Sequence, residues 1–457
     1  MSTDSSRHQP YSAYRGSGVD WLGEIPAHWK VSTVRRHFHV ELGKMLNRSS
    51  EDGTGMVKPY LRAANVHWNG VELANAGVNE MEFSAAQLER YRLRPGDLLV
   101  TEGGVTVGRS TIWNGELEEC YYQNSLNRAR VLPGSPLSAK YLYYWMYFTT
   151  LNGYVDLVAD KATFQHLTNE MLCAFPIIVP HASEQRAIAA FLDRETARLD
   201  ALIARKERLL VLLAEKRAAL ISHAVTKGLD PSAPMRDSGI AWLGGIPAHW
   251  EVKRLKFLAS RMTAGPFGSS LTKDLYTQGG YRVYGQEQVI PGDFTVGDYY
   301  IAEELYQQMS QYAVVPGDVL ISCVGTFGKV AVVPLDAESG VINPRLIKVA
   351  PDRSMIVPEY LGAVLKSGVS FGQFEQASRG GTMGVINLGL ISEILIPVPP
   401  LSEQRTIREE LDSTTRRLDT LLAKVQTAIE KLREYRAALI SATVTGKIDV
   451  RGEAVRE

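Results

Sequence analysis

The sequence has few cysteines, no long apolar run and no excess of charge of either sign. Its three cysteines, Cys120, Cys173 and Cys323, lie far apart and form no CxxC pair, which argues against a disulfide framework or a zinc ribbon. No apolar run approaches the roughly 18 residues that a membrane span needs, and the polar opening MSTDSSRHQP lacks the apolar core of a signal peptide. These absences predict a cytoplasmic protein without a membrane segment.

The balance of positive and negative charge is only weak evidence about function. The 50 basic residues are matched by 50 acidic residues, so the chain lacks the basic excess that phosphate contacts usually leave in a DNA-binding protein. This balance counts mildly against DNA binding, because the placement of charge matters more than its sum. With 457 residues, 45% of them hydrophobic and 22% charged, the chain has the composition of a globular protein of several domains.

The chain contains one long unit twice. WLGEIPAHW at 21–29 returns as WLGGIPAHW at 242–250, and RPGDLLV at 94–100 returns as VPGDVLI at 315–321, both 221 positions later. Further along, SEQR, RLD and ALIS each return 219 positions later. This period is far longer than a solenoid repeat, so it indicates a duplicated domain and helix. Short apolar runs bounded by Gly, Pro and Asn predict mixed strands and loops in the first part of each copy.

The second part of each copy predicts a long helix. After Pro180 and Pro400 come about 40 residues without Gly or Pro, and near the start of each stretch Ser183-Glu184 or Ser402-Glu403 suits a helix N-terminus. Apolar residues recur at a coiled-coil spacing, so the two helices are expected to pair with each other, antiparallel, along one seam. The predicted seam residues are Ile188, Leu192, Leu199, Leu202, Leu209, Leu213 and Leu220 in the first helix, and Ile407, Leu411, Leu418, Leu421, Leu432 and Leu439 in the second.

Several longer segments together resemble the specificity subunit of type I restriction-modification systems. They are SGVDWLGEIPAHWKV (17–31) and SGIAWLGGIPAHWEV (238–252), GGVTVGRS and VGTFGKVAVV, FPIIVPHASEQRAI and IPVPPLSEQRTI, and ALISHAVTKGLD and ALISATVTGKID. They cover nearly the whole chain after about residue 14. The resemblance implies that two target-recognition domains each read one half of a split site on double-stranded DNA, while the helices set the gap.

The resemblance also implies partners and the absence of a cofactor in this chain. Methylation subunits, expected to be two, would dock on the chain and carry S-adenosylmethionine, and restriction subunits would add ATP- and Mg-dependent translocation and cleavage. The chain itself is then not an enzyme. Because the two recognition parts differ greatly outside the shared motifs, the DNA site should be asymmetric.

The expected fold is α+β: two mixed α/β target-recognition domains separated by two long antiparallel helices that form an intramolecular coiled coil, with a pseudo-two-fold repeat. The predicted boundaries are an N-terminal tail at 1–16, target-recognition domain 1 at 17–182, the central helix at 183–226, target-recognition domain 2 at 227–401, the C-terminal helix at 402–445 and a C-terminal tail at 446–457.

Catalytic motifs are weak or absent. The sequence has no Asn/Asp-Pro-Pro-aromatic motif and no GxxxxGK[ST] phosphate loop. Gly368–Gly372 matches GxSxG but follows a helical-looking segment, so we expect a loop there. His37 and His39 could share one face of a strand as metal ligands, yet solvent-facing or phosphate-contacting histidines are favoured. His28 and His249 recur in the apolar WLGxIPAHW motif, which favours packing or a domain junction.

Candidate DNA contacts are polar side chains that can read base edges, and Gly-rich loops that let backbone amides approach phosphates. GPFGSS at 265–270 is the preferred loop. The candidates are Lys44, Arg62, Asn65, Arg109, Lys161, Thr163, Gln165 and His166 in the first copy, and Ser269, Ser270, Lys273, Gln286, Lys329, Arg345, Arg379, Thr382 and Asn387 in the second. No metal ligand and no catalytic residue is predicted.

One alternative of another class stays open at this point. A non-enzymatic scaffold, with a coiled coil that displays two protein-binding domains, would also suit the neutral net charge. Salt-sensitive retention on DNA in the presence of a methylation subunit would separate the two functions.

Overall fold

The structure is a computed structural model that describes residues 9–46, 55–158, 166–267, 270–325, 328–370, 372–373 and 387–455. The chain divides into two compact units. Unit 1 comprises Met1–Lys206 and Thr427–Glu457, and unit 2 comprises Glu207–Gln426. Both divisions fall inside a long helix, so each unit holds one mixed domain and half of each helix.

Unit 1 combines short strands with four short helices. Its strands are β1 Tyr14–Gly16, β2 Glu24–Pro26, β3 Lys30–Thr33, β4 Phe38–Leu42, β5 Met56–Leu61, β6 Val66–His67, β7 Gly70–Val71, β8 Asn79–Phe83, β9 Leu98–Thr101, β10 Ser110–Ile112, β11 Tyr121–Tyr122, β12 Leu126–Val131 and β13 Pro176–Val179. Its short helices are α1 Ala85–Tyr91, α2 Ala139–Leu151, α3 Tyr154–Val158 and α4 Asn169–Ala174.

Unit 2 repeats this mixture. Its strands are β14 Met235–Asp237, β15 Gly245–Pro247, β16 Glu251–Arg254, β17 Ala259–Ala264, β18 Tyr281–Tyr284, β19 Tyr300–Ile301, β20 Ala313–Val314, β21 Val319–Ser322, β22 Val330–Val332, β23 Gly340–Ile342, β24 Leu346–Pro351 and β25 Leu395–Val398. The long helices are α5 Ala182–Lys227 and α10 Leu401–Val444; between them lie α6 Gln286–Val289, α7 Glu303–Gln308, α8 Pro358–Lys366 and α9 Leu388–Ser392.

The two domains share one sheet topology. A four-stranded antiparallel sheet has the order β10-β9-β12-β4 in unit 1 and β22-β21-β24-β17 in unit 2. A second sheet joins β5 to β11 in parallel in unit 1, and β18 to β23 in parallel in unit 2. The internal repeat read from the sequence is therefore a repeat of structure as well.

A helix covers each four-stranded sheet for a reason visible in its sequence. Ser138 caps α2 by accepting a hydrogen bond from the Tyr141 amide at 3.2 Å, and Tyr141 and Trp145 are fully buried. Trp145 also donates to the Pro176 carbonyl at 2.9 Å, which fixes the helix against β13. In unit 2, α8 begins with Pro358 and buries Tyr360 in the same way.

The long helices run antiparallel within each unit. In unit 1, Ile188 and Leu192 near the start of α5 share a core with Leu439 and Ile440 near the end of α10. In unit 2, Val225 at the end of α5 shares a core with the start of α10. The observed helices begin one residue before the predicted starts at 183 and 402.

The same ion pair joins the helices once in each unit. Asp200 of α5 pairs with Arg436 of α10 in unit 1, and Arg217 of α5 pairs with Asp419 of α10 in unit 2, both with a nitrogen–oxygen distance of 2.9 Å. Arg436 lies 219 positions after Arg217, and Asp419 lies 219 positions after Asp200. The pairing therefore follows the pseudo-two-fold repeat of the sequence.

The predicted seam is wrong at four leucines. Leu202, Leu209, Leu220 and Leu421 expose 36 to 42% of their surface, whereas Ile203, Val425 and Ile429 are buried. Apolar residues stand side by side at 202–203, 209–210 and 421–422, so the sequence offers two adjacent stripes, and packing selects one of them. The other predicted seam residues are buried, except for the half-buried Leu432: Ile188, Leu192, Leu199, Leu213, Ile407, Leu411, Leu418 and Leu439.

The two predicted tails also need correction, because their described parts belong to unit 1. Tyr11 is buried, and its neighbour Tyr14 donates from its hydroxyl to the Gly446 carbonyl at 2.9 Å. Gly446 has a φ of +73°, and a Cβ there would lie 2.4 Å from Pro26 Cγ. In unit 2 a Cβ at the equivalent Gly228 would lie 3.3 Å from Trp250 Cζ2, and there the two residues belong to one continuous stretch of chain. Proximity of the two ends of the sequence could not be read from local patterns.

Candidate nucleic-acid interface

Several loops meet at one edge of the four-stranded sheet in unit 1. β12 lies between β4 and β9 and is antiparallel to both, so the ends of β4 and β9 lie beside the start of β12. We call residues 43–46, 102–109 and 123–125 the loop edge of unit 1. By the same topology, residues 265–267, 323–325, 328–329 and 343–345 form the loop edge of unit 2.

The backbones of the two loop edges make several equivalent hydrogen bonds. The Gly43 amide donates to the Leu126 carbonyl at 3.0 Å, and the Gly265 amide donates to the Leu346 carbonyl at 2.9 Å. A Cβ at Gly43 would lie 2.3 Å from a backbone oxygen, and one at Gly265 would lie 2.0 Å from its counterpart. Both loops therefore need glycine where they leave the sheet, because only glycine lets the backbone approach its neighbour so closely.

A cation precedes the last strand of the sheet at each loop edge. Arg109 comes directly before β10, and Lys329 comes directly before β22; the strand registers make these positions equivalent. Arg109 is half-buried and Lys329 is exposed. Both were predicted from the sequence as DNA contacts, and a cation at this position suits a phosphate.

Other equivalent positions of the two loop edges carry different chemistry. The Glu102 amide donates to the Ser125 carbonyl in unit 1, and the Cys323 amide donates to the Arg345 carbonyl in unit 2, both at 3.0 Å. One loop edge thus has a half-buried carboxylate and a half-buried hydroxyl where the other has a buried thiol and an exposed guanidinium. The same scaffold can therefore make different hydrogen bonds in the two domains.

Glu102 was not singled out from the sequence. Burial raises the pKa of its carboxyl group, the charge of Glu170 raises it further, and His166 lowers it. His166, a predicted contact, is exposed and forms a β-bridge with Gly103 at this edge. No local pattern marks Glu102, because its position depends on loops that come together only in the folded sheet.

The prediction of DNA contact is corrected for Lys44 and Asn65. The Lys44 ammonium is buried against the Phe83 ring and donates to the Glu82 carbonyl; burial lowers the pKa of this group. Asn65 is fully buried and donates to the Glu72 and Gly77 carbonyls at 2.9 and 2.8 Å. Both polar groups are used to hold loops within the domain.

The other described candidates differ in whether their polar groups are hydrogen-bonded within the domain or exposed. Arg62 is half-buried and donates to the Ala76 carbonyl at 3.1 Å. Gln286 donates to Ser322 Oγ at 2.5 Å and to the Val324 carbonyl at 2.6 Å, so it braces the loop edge of unit 2. Arg345 is exposed there, directly before β24. These three stay predictions as DNA contacts.

Three more described candidates, Ser270, Lys273 and Asn387, also lie outside the loop edges as defined. The Ser270 hydroxyl donates to the Phe267 carbonyl at 3.0 Å, and Lys273 is exposed. Asn387 caps α9, since its Oδ1 accepts from the Leu390 amide at 2.9 Å. Six further candidates lie outside the described residues: Lys161, Thr163, Gln165, Ser269, Arg379 and Thr382.

The repeated histidines form a junction between the opening motif and the long helices. His28 Nε2 lies 3.0 Å from Glu184 at the start of α5, and His249 Nε2 lies 2.8 Å from Glu403 at the start of α10. The Trp250 indole donates to the same Glu403 at 3.1 Å. The expected domain-junction role of this motif is confirmed.

The weak catalytic motifs gain no support from the described residues. Ser370 of the GxSxG match is fully buried in a helical turn, not in the expected loop, and its hydroxyl donates to the Val364 carbonyl at 2.8 Å. His37 Nε2 lies 2.9 Å from Ser32 Oγ, and burial lowers the pKa of this imidazole. Across the described ranges, no group of three or more His, Cys, Asp and Glu is placed to hold a metal ion.

The chain is built from two copies of one mixed domain, each with a loop edge of its own chemistry. The family profile described as type I restriction modification DNA specificity domain matches residues 26–210 and again 247–431. The chain therefore belongs to the family of type I restriction-modification DNA specificity subunits. This membership favours DNA specificity over the scaffold alternative.

Individual relatives agree with the family match. The chain is 23% identical to the EcoBI specificity subunit of Escherichia coli, over 80% of this chain and 76% of that protein. It is 21% identical to the StySPI specificity subunit of Salmonella potsdam, over 94% of this chain and 92% of that protein.

Solved structures share the fold. A chain from a study of complex assembly and conformational transition of the type I R-M system matches with a TM-score of 0.70 and 15% identity, covering 93% of this chain and 99% of that chain. The HsdS subunit of Thermoanaerobacter tengcongensis matches with a TM-score of 0.51 and 16% identity, covering 93% and 98%. In the part of the chain that the structure describes, no helix is both long and apolar enough to cross a membrane.

Proposed function

We propose that each domain reads one half of a bipartite, asymmetric site on double-stranded DNA through its loop edge. The observation that carries this proposal is the matched backbone with unmatched side chains: Glu102 and Ser125 in unit 1 stand where Cys323 and Arg345 stand in unit 2. Glutamate can accept from cytosine N4, whereas arginine can donate to guanine O6 and N7. The two half-sites should therefore differ in sequence.

Mapping N6-methyladenine in cells that carry this chain with a methylation subunit tests the proposal. We expect a motif of two unlike halves separated by a fixed gap, absent from cells without the gene. Arg345→Gln should relax the preference at one position of one half only, by about 1–3 kcal/mol of discrimination. A motif whose two halves are identical, or a variant that relaxes both halves, would contradict it.

We further infer that two methylation subunits dock on the long helices, one in each unit. Two identical partners need two equivalent surfaces, so the docking residues should be exposed and the same in both copies. Leu202 and Leu421 meet this condition although they are apolar, and each follows an exposed arginine, Arg198 or Arg417, by one helical turn. A partner helix with an apolar stripe and flanking acidic residues would suit this surface.

Charge introduced at these leucines separates docking from folding. Leu202→Arg or Leu421→Arg should each remove one methylation subunit, and the double variant should remove both, as measured by native mass spectrometry of the assembled complex. Val211→Arg is the matched control, because Val211 is an even more exposed apolar residue of α5 but its counterpart in α10 is Glu430. Full stoichiometry in the double variant would exclude this docking surface.

In this proposal the chain supplies recognition and no catalysis. Its partners would carry S-adenosylmethionine on the methylation subunits, and ATP and Mg on restriction subunits. Purified chain without partners should then neither methylate nor cleave DNA that contains the mapped site. Activity of the isolated chain would contradict this part of the proposal.

A further inference from the structure

An exposed bulky apolar side chain lies at the same position of the loop edge in each domain; unit 1 also exposes Leu46 and Val105. Met45 exposes 67% of its surface in unit 1, and Phe267 exposes 78% in unit 2. Each lies two residues after the glycine that leaves the sheet, Gly43 or Gly265, whose amide bonds to the first residue of the central strand. The two side chains therefore occupy the same place in the fold.

A single exposed apolar residue is ordinary, but this coincidence is not. Burial of a side chain of this size stabilises a protein by about 1.5–3 kcal/mol, and neither loop obtains that gain. The preceding residues, Lys44 and Pro266, share no chemistry. The two loops therefore share exposed apolar bulk at one position although they otherwise differ, which indicates a contact made outside this chain.

The backbone directly before each of these side chains is held in place. The Lys44 amide donates to the Tyr122 carbonyl at 3.1 Å, and the Asn124 amide donates to the Lys44 carbonyl at 2.9 Å, so the loop is fixed to its neighbour directly before Met45. In unit 2, Pro266 fixes one backbone angle directly before Phe267. The Phe267 carbonyl in turn accepts from the Ser270 hydroxyl at 3.0 Å.

The loop edge that holds each side chain also carries a cation. Arg109 lies at the loop edge with Met45, and Lys329 lies at the loop edge with Phe267, each able to hold a phosphate. In each unit the two residues lie at the ends of the two outer strands of the sheet, with two strands between them. A loop edge that carries both an apolar side chain and a cation suits stacked bases beneath a charged backbone. A protein partner would also accept an apolar residue, but the cations and the differing hydrogen-bonding groups at the same edge favour DNA.

We propose that Met45 and Phe267 are wedges, each of which inserts between two base pairs of its own half-site. This inference rests on the proposed function and adds the mode of contact. Phe and Met are side chains that proteins use to separate base steps, and the cost of unstacking is recovered by closer contact around the kink. A base that is modified must also leave the stack, so a wedge lowers the cost of that step for the methylation partner.

Fluorescence of 2-aminopurine tests the wedge, because this base analogue brightens when it loses its stacked neighbours. The full chain, assembled with its methylation subunit, is titrated onto duplexes that carry the analogue at successive positions of one half-site. We expect a several-fold rise at one step in each half-site. Phe267→Ala should remove the rise in one half-site only, and Met45→Ala should remove it in the other.

Controls separate insertion from folding and from recognition. Val315→Ala removes an exposed apolar residue of unit 2 that lies before β21, at the other end of that strand from the loop edge, and should leave both signals unchanged. Phe267→Leu keeps apolar bulk and should retain part of the rise. Phe267→Ala should weaken binding of the cognate duplex about 5- to 150-fold, the range measured when an aromatic residue that stacks on a base is removed.

The outcomes are distinct. Sequence-specific binding by the original chain without any fluorescence rise, or a rise that survives in Phe267→Ala and Met45→Ala, would overturn the wedge and leave half-site reading intact. Loss of sequence-specific binding by the original chain itself, seen as equal retention of cognate and unrelated duplexes, would overturn the proposed function and the wedge together.

Discussion

At the scale of single residues, the loop edges depend on glycines whose role is steric. Gly43 and Gly265 lie where a strand leaves the sheet against the backbone of a neighbouring loop, so that any side chain would collide with a carbonyl group. Such a collision cannot be relieved by a change of rotamer, because the neighbouring atom belongs to the main chain.

Gly265→Ala should therefore destabilise unit 2. We expect a loss of about 1–3 kcal/mol or more in the free energy of unfolding, measured by urea denaturation. Gly279→Ala is the matched control, because a Cβ at Gly279 would meet nothing within 4 Å and its φ is not in the left-handed region. Equal stability of the two variants would show that the loop relaxes without cost.

Glu102 gives a prediction that depends on pH. Its pKa is raised above the ordinary 4.5 by burial, so the folded state binds the proton more tightly than the unfolded state. The ionised carboxylate therefore destabilises the fold at neutral pH, and this penalty disappears as pH falls below 4.5. Glu102→Gln should raise the free energy of unfolding at pH 7.5, with a smaller gain at pH 5. Glu80→Gln, at an exposed position outside the loop edge, is the matched control for the substitution itself.

At the scale of elements, the long helices are joined by two equivalent ion pairs of unequal burial. The Arg436 side chain is 12% exposed and its guanidinium lies 4.9 Å from the centre of the Tyr147 ring, whereas the Arg217 side chain is 39% exposed. Solvent weakens the second pair, and the first adds packing and a cation–π contact.

Arg217→Ala should therefore cost less than about 1 kcal/mol of unfolding free energy, and Arg436→Ala about 1–3 kcal/mol. Chemical denaturation of both variants under identical conditions provides the comparison. High salt should reduce the difference between Arg217→Ala and the original chain more than it does for Arg436→Ala. Similar losses in the two variants would show that the ring contact contributes little.

At the scale of the whole molecule, both long helices pass from one unit to the other. A helix advances 1.5 Å per residue, so their length is a candidate determinant of the gap between half-sites. Because the ion pairs follow the repeat, an insertion must be made in both helices, at the division between the units, to keep the seam in register.

Insertion of seven residues in each helix, after Lys206 and after Gln426, keeps the seam on one face and adds about 10.5 Å of helix. If helix length sets the gap, the gap in the methylation motif should lengthen by about three base pairs, with both half-sites unchanged. Mapping of N6-methyladenine reads both quantities. An unchanged gap would show that the spacing is set elsewhere. Insertion in α5 alone should abolish methylation, because it shifts one seam against the other.

Much of the element pattern followed from the sequence alone. The repeat, the two long helices and the strand-rich character of each domain rest on periodicity and on Gly and Pro placement, which act over a few residues. The junction role of the WLGxIPAHW motif also followed, because an apolar motif repeated before each domain has few other uses. Family membership needed only the co-occurrence of these segments along the chain.

Tertiary structure decided what depends on contacts between distant residues. Leu202 and Ile203 are adjacent and equally apolar, and only the partner helix determines which of them is buried. Lys44 and Asn65 resemble DNA contacts in sequence, but loops that fold over them use their polar groups. Glu102, Met45 and Phe267 gain their place from strand ends that meet at one sheet edge. Local propensity fixes elements, whereas solvent exposure is a property of the packed whole.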